Sequence, residues 1–219
     1  APIVIDNGNN KTIIAGDKDG ILYALSEEGN LIFEFQSDDD IYTSPTVLET
    51  SSGLMIFFGT NSGSIYALDI NGNLKEGFPI ATSMQGELLT FNSIVGSIVF
   101  EDLDMDGLAE LIFGDEGGEL HILKSLDESY SNFDYYNSMP ASNVFSYASS
   151  LNIIDIDQDG DLEIFGGTTG DLVVLDIKEE SQNGDYWNIY RGNYQRTGLF
   201  ITQSEEACTA GDINADSII

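Results

Sequence analysis

The chain has 219 residues, 38 of them acidic and seven basic, for a formal charge of −31. Such a charge repels phosphate backbones and anionic surfaces, which excludes nucleic acid as a partner, and no apolar run approaches the roughly 18 to 20 residues that a membrane helix needs. A single cysteine, Cys208, and a single histidine, His121, rule out an internal disulfide framework and an ordinary Cys/His zinc site, and leave the compartment open.

In chain order, a strand is predicted over Pro2 to Ile5, entered directly from Ala1 with no basic or apolar leader pattern. A polar loop, Asp6-Asn-Gly-Asn-Asn10, follows. It keeps some oxygen ligands and predicts at most a weak or incomplete metal site at Asp6. The segment TIIAGDKDGILYAL (Thr12 to Leu25) then gives an apolar strand, a glycine-bounded turn and a second strand, and Leu31 to Phe35 gives another extended segment. The same series returns with a strand at Pro45 to Leu48, the paired strands MIFFGTNSGSIYAL (Met55 to Leu68) and an extended segment at Phe78 to Ala81. Here the loop Leu48 to Gly53 is short and poor in carboxylates, so no strong site is expected. A third series has strands at Ser97 to Phe100, ELIFGDEGGELHIL (Glu110 to Leu123) and Phe133 to Tyr136. A fourth has Leu151 to Ile154, EIFGGTTGDLVVLD (Glu163 to Asp176) and Trp187 to Tyr190.

The second turn glycine marks the period. Gly20, Gly63, Gly118 and Gly170 are separated by 43, 55 and 52 residues. Tight hairpins need positive φ, which glycine adopts without a Cβ penalty. Four short antiparallel strands in a unit of about fifty residues describe one blade of a β-propeller, whose faces neighbouring blades bury. The predicted fold is therefore all-β, a propeller of four-stranded antiparallel blades with about four present, near 1–43, 44–93, 94–148 and 149–200. Entering in mid-pattern and leaving in mid-loop, the chain is expected to be the carboxy-terminal part of a ring of seven or eight blades. The aromatics of Ser125 to Ser149 (Tyr130, Phe133, Tyr135, Tyr136, Phe145, Tyr147) admit two readings, packing between blades or a platform for a sugar or peptide.

The strongest chemical signal lies in two loops that both read D-x-D-x-D-G-x-x-E: Asp102-Leu-Asp-Met-Asp-Gly-Leu-Ala-Glu110 and Asp155-Ile-Asp-Gln-Asp-Gly-Asp-Leu-Glu163. Calcium takes roughly six to eight hard oxygen ligands, and alternate acids on a loop that turns at glycine can converge on one centre. Asp102, Asp104 and Asp106 would supply side-chain oxygens, Leu108 a backbone carbonyl and Glu110 the closing carboxylate. Asp155, Asp157, Asp159, Asp161 through its carbonyl, and Glu163 would do the same. Without a cation, so many like charges on one short loop are costly.

These loops, followed by E-I/L-I-F-G and a G-x-L-Y-A-L-type strand, together with Leu68-Asp-Ile-Asn-Gly-Asn and Gly77-Phe-Pro79, resemble FG-GAP repeats of the VCBS/integrin-α type from Ala1 to about Phe200. The resemblance implies a calcium-stabilised propeller, commonly exported to the cell surface or outside a bacterial cell. Trp187-Asn-Ile-Tyr-Arg-Gly-Asn-Tyr-Gln-Arg-Thr-Gly198 looks like the closing element of such propellers and of quinoprotein-like ones. Past a linker over 201–210, Gly211 to Ser217 resembles the opening of a type I dockerin calcium loop, with Asp212, Asn214 and Asp216 at its first, third and fifth positions. Ser217 stands where glycine is usual, so 211–219 is a truncated, incomplete site. It implies a continuation toward a cohesin-type partner.

For catalysis, a nucleophile with its base, an acid–base pair or an open metal would be required. His121 occupies the strand position held by Tyr23, Tyr66 and Val173 in the other repeats, and Cys208 has no partner histidine. The expected function is a non-catalytic calcium-binding module that binds a protein or polysaccharide ligand. The alternatives are the propeller of a secreted polysaccharide-degrading enzyme and, less favoured, a quinoprotein-like dehydrogenase.

Overall fold

A computed structural model describes residues 1–80, 89–137, 139–179, 181, 184 and 186–202. It is an all-β propeller of stacked antiparallel sheets. The first sheet is the meander β1 (Ile3–Asp6), β2 (Lys11–Gly16), β3 (Ile21–Ser26) and β4 (Leu31–Gln36). The second holds β5 (Thr46–Thr50), β6 (Gly53–Gly59) and β7 (Ile65–Asp69). In the third are β8 (Val99–Glu101), β9 (Glu110–Gly114), β10 (Glu119–Ser125) and β11 (Phe133–Tyr135), with the short β12 (Ala141–Ser142) also paired to β10. The fourth holds β13 (Asn152–Ile154), β14 (Leu162–Gly167) and β15 (Leu172–Ile177). A last strand, β16 (Leu199–Ile201), runs parallel along β1.

Because side chains alternate across a strand, each sheet has one face toward the preceding sheet and one toward the next. Phe35 of the first sheet meets Phe58 and Tyr66 of the second, with ring centroids 6.3 and 5.7 Å apart. One residue back, Phe57 points the other way, 4.9 Å from Phe100 of the third sheet and 5.6 Å from Phe78. Val99 and Ile112 of the third sheet pack with Ile153 and Ile164 of the fourth. The outer faces of the first and fourth sheets are less covered. Leu172 and Val174 are 67% and 50% exposed, and Ile13, Tyr23 and Leu25 are only half-buried.

The glycine turns are built alike in the first three sheets. Asp17, Thr60 and Asp115 each donate a backbone N–H to the carbonyl four residues on, and Gly20, Gly63 and Gly118 have φ of 76°, 87° and 86°. The fourth turn departs from the expected pattern: it closes one residue earlier, from Thr168 N to Asp171 O, and Gly170 has no positive φ.

Two predicted outer strands are not strands. Phe78 to Ile80 makes a single ladder contact to β7, Ile80 N donating to Ile65 O at 3.1 Å, because Pro79 has no N–H to offer; Ala81 lies outside the described residues. Trp187 to Tyr190 does not extend the fourth sheet. It passes between the innermost strands of the third and fourth, its Trp187 and Asn188 carbonyls each accepting at 3.0 Å from Phe100 N and Ile153 N. A 3₁₀ turn (Tyr190–Gly192) then leads to β16. The Arg191 guanidinium binds this segment down, donating to the carbonyls of Arg196, Thr197 and Pro2 at 2.7, 2.8 and 3.0 Å. The closing motif is thus a strap that joins three sheets.

Candidate metal centres in the acidic loops

Each acidic loop connects the innermost strand of its sheet to the next, β8 to β9 and β13 to β14. Their backbones share a signature. Met105 and Gln158, in the fourth position, have φ of 55° and 62°; Gly107 and Gly160, in the sixth, have 90° and 98°. A left-handed non-glycine residue costs on the order of 1 kcal/mol, and it recurs here at equivalent places.

Side chains repeat the same pattern. In the first position, Asp102 Oδ2 accepts from Gly107 N at 2.9 Å and Asp155 Oδ2 from Gly160 N at 3.3 Å, curling each loop around its first carboxylate. Asp106 Oδ1 accepts from Leu108 N at 2.9 Å, and Asp159 Oδ1 from Asp161 N at 3.3 Å. Glu110 Oε2 accepts from Leu103 N at 2.7 Å, and Glu163 Oε2 from Ile156 N at 2.8 Å. Both closing glutamates are buried, Glu110 wholly and Glu163 to 5% exposure. Ser181 joins the loops, donating its hydroxyl to Asp102 O at 2.8 Å and its N–H to Gly160 O at 3.1 Å.

Carboxylate oxygens of Asp102, Asp104 and Glu110 lie within 4.8 Å of one another, as do those of Asp155, Asp157 and Glu163, and of Asp159, Asp161 and Glu163. These clusters could hold a metal ion. Buried oxygens in them have no hydrogen-bond partner: Glu110 Oε1, Asp104 Oδ1 and Asp161 Oδ1. A buried carboxylate oxygen left bare is costly, and a hard cation would satisfy it, so the donor set fits an oxygen-ligated metal. Burial foremost, with the charges of Asp104 and Asp102, pushes the Glu110 carboxyl up to about 8.

The arrangement differs in part from the sequence-based ligand set. Asp161, expected to contribute only its carbonyl, has its side chain clustered with those of Asp159 and Glu163. Asp106 is turned toward Lys124, its Oδ2 2.8 Å from the ammonium, which also bonds Asp104 Oδ2. Lys124 was not singled out from the sequence. The available signal is that two of only seven basic residues, Lys124 and Lys178, close the hairpins leaving the two acidic loops. In the first repeat, Asp6 Oδ1 accepts from Gly8 N at 2.9 Å, and its Oδ2 lies 3.6 Å from Lys11. Asp212, Asn214 and Asp216 lie outside the described residues, as do Cys208 and the linker beyond Thr202.

A further cluster, Asp115, Glu119 and His121, was not foreseen. Asp115 is buried and spent on structure. Its Oδ2 takes Asn92 N at 2.9 Å, Asn92 Nδ2 at 3.1 Å and His121 Nε2 at 3.1 Å, while Oδ1 takes Glu119 N at 3.0 Å. Although burial opposes the charge, these donors hold its carboxyl well below the usual range. His121 stacks on Phe113, centroids 4.9 Å apart. Most of the 125–149 aromatics are packing. Tyr130, Phe133, Tyr136 and Tyr147 are buried, Tyr147 filling the space beside Gly114 and Gly166, and Phe145 is 42% exposed.

Neither a protein-family model nor a curated protein matches the chain. Among solved structures it is similar to BBS1N in complex with ARL6DN (16% identity, TM-score 0.53, 80% of this chain and 52% of that one). It is also similar to the C-terminal domain of PilY1 from Pseudomonas aeruginosa (15% identity, TM-score 0.52, 93% and 51%). BamB from Moraxella catarrhalis aligns with TM-score 0.49 at 16% identity, over 80% and 45%. The likenesses to BBS1N and PilY1 speak to the fold alone. The chain spans about half the length of the structures it matches. Among the described residues, no helix is long and apolar enough to cross a membrane.

Proposed function

We propose that the chain is a non-catalytic, calcium-binding β-propeller module of an exported or cell-surface protein, of FG-GAP/VCBS type, acting in ligand binding, adhesion or scaffolding. The observation that carries the reading is the pair of equivalent loops, each closing a buried glutamate over a carboxylate cluster with unpartnered oxygens. All-oxygen donors on an irregular loop suit calcium, which tolerates flexible coordination, better than magnesium, which demands a small octahedral shell. The ion would hold each loop on its sheet, leaving the surface beyond for a partner.

A cleft of about 380 Å³ beside the strap supports a ligand role. Glu49, Tyr186, Asn188, Asn193 and Tyr194 line it, a mixture of aromatic faces and polar groups suited to a polysaccharide or an extended peptide. The partly uncovered faces of the first and fourth sheets support the reading that these sheets belong to a larger ring. Calorimetry with calcium and magnesium tests the metal reading: about two calcium sites are expected, with magnesium much weaker, and no calcium binding, or equal affinity for both ions, rejects it. An activity screen on plant and algal polysaccharides, with and without calcium, separates the binding module from a degrading enzyme.

A further inference from the structure

The two acidic loops face different residues across their hairpins. Glu163 on β14 stands opposite Asp176 on β15. Leu111 on β9 pairs with Leu123 on β10, so the next pair down the ladder sets Glu110 opposite Lys124. The position that is a carboxylate in the second hairpin is thus an ammonium in the first. Lys124 is largely covered, 27% exposed, and bonds Asp104 Oδ2 as well as Asp106 Oδ2 at 2.8 Å. In the second hairpin the nearest ammonium lies two residues further along the chain, just past the end of β15. Lys178 is 69% exposed, 2.5 Å from Asp176 Oδ2 and 3.5 Å from Asp161 Oδ2, and reaches none of Asp155, Asp157 or Glu163 within ion-pair distance.

Resting on the calcium reading above, we propose that Lys124 is a tethered counter-cation that competes with a divalent ion for Asp104 and Asp106, so that the 155–163 loop fills first and the 102–110 loop only at higher calcium. Three observations converge. The ammonium takes carboxylate oxygens at the third and fifth loop positions, two of the positions a calcium ion would use. Glu110 Oε1, wholly buried, and Asp104 Oδ1 nevertheless keep no partner, so one positive charge on one side leaves the cluster unsatisfied. Across the other hairpin, Asp176 adds negative charge instead of removing it. To bind the 102–110 loop, an ion must displace a charge-assisted pair in partly desolvated surroundings; the second loop carries only the longer, solvent-exposed contact of Lys178 with Asp161, at 3.5 Å. The first loop is partly neutralised without metal, and its sheet is expected to hold together under calcium depletion that loosens its neighbour.

The test is calorimetric titration of calcium into the full chain and into variants of altered charge at Lys124 and Asp176, with folding checked by circular dichroism. The wild type should show two classes of site differing by about tenfold or more in Kd. Lys124→Met should tighten the weaker class by about tenfold and leave the stronger unchanged, while lowering the melting temperature in chelator. Asp176→Lys should do the reverse, weakening the stronger class by a similar factor and raising the melting temperature in chelator. Should Lys124→Met fail to fold without metal, Lys124→Gln and Asp176→Lys carry the comparison. Two sites of wild-type affinity in Lys124→Met or Lys124→Gln overturn the counter-cation role while leaving the calcium reading intact; no calcium binding by any of the proteins overturns both.

Discussion

Glu110 Oε2 accepts a hydrogen bond from Leu103 N at 2.7 Å, and the same bond, from Ile156 N to Glu163 Oε2 at 2.8 Å, closes the other acidic loop. One glutamate oxygen is thus committed to holding the loop shut. The other is free to face the cluster, and in Glu110 it has no partner. Loop closure and the candidate metal cluster share the same side chain.

Removing one carboxylate from each cluster should weaken one site. An ion that binds only the folded chain stabilises it by about 2.7 kcal/mol when present at about a hundred times Kd. Asp104→Ala and Asp157→Ala should each lose part of the rise in melting temperature that calcium produces. Thr168→Ala lacks a hydroxyl that bonds Asp171 and should lower stability by about 1 kcal/mol, with the calcium increment unchanged. Full calcium increments in both aspartate variants, by scanning calorimetry, would count against metal binding in these loops.

The Glu110 carboxyl sets a pH dependence. Its folded pKa, about 8, lies above the ordinary 4.5, so the metal-free folded state holds this proton more tightly than the unfolded chain does. Stability from this group is complete below about 4.5 and is lost as pH rises toward 8. In chelator, the melting temperature should have a smaller downward slope between pH 5 and 8 in Glu110→Gln than in wild type, to about the extent of this one group. Calcium takes the carboxylate form, so affinity at this loop should rise over the same window. Identical slopes in the two proteins would remove Glu110 as the titrating group.

Glycine substitutions separate the turns. A Cβ on Gly63 would lie 2.1 Å from the carbonyl oxygen of Phe91, at φ of 87°. Both a strained backbone and a backbone clash follow, so Gly63→Ala should cost roughly 2 kcal/mol or more. At Gly170 the atoms nearest a Cβ belong to the Phe145 ring, which is 42% exposed and can move, and φ is not positive. Gly170→Ala should cost about 1 kcal/mol or less. Urea denaturation orders the two, and equal costs would contradict the shorter fourth turn.

Arg191 offers three N–H donors in one plane to three carbonyls on two segments. A lysine ammonium cannot span them. Arg191→Lys should therefore destabilise the protein by about 1–3 kcal/mol, with early hydrogen exchange at the amides of Phe100 and Ile153, which bond the strap. Unchanged exchange there would mean that the Arg191 guanidinium does not hold the strap in place.

Much of this protein is written in local sequence. Alternating apolar residues about a glycine turn, repeated four times, dictate hairpins because the strand period and, at Gly20, Gly63 and Gly118, the positive-φ turn are properties of a few neighbouring residues. The loops are legible for the same reason: acids at alternate positions before a glycine curl around their own backbone N–H groups, as Asp102 and Asp155 do. What the sequence leaves open depends on how sheets meet. Pro79 and the pull of β8 and β13 took two extended segments away from the outer strands they were predicted to form. Tyr130 and Tyr147 became core because neighbouring sheets cover them, and Ser181, far from Asp102 in the chain, reaches its carbonyl only through the stacking of the third and fourth sheets. The placement of Lys124 against Asp104, set by the β9–β10 register, likewise comes from tertiary structure, since a charge finds its partner through space and the spacing of residues along the chain does not encode that distance.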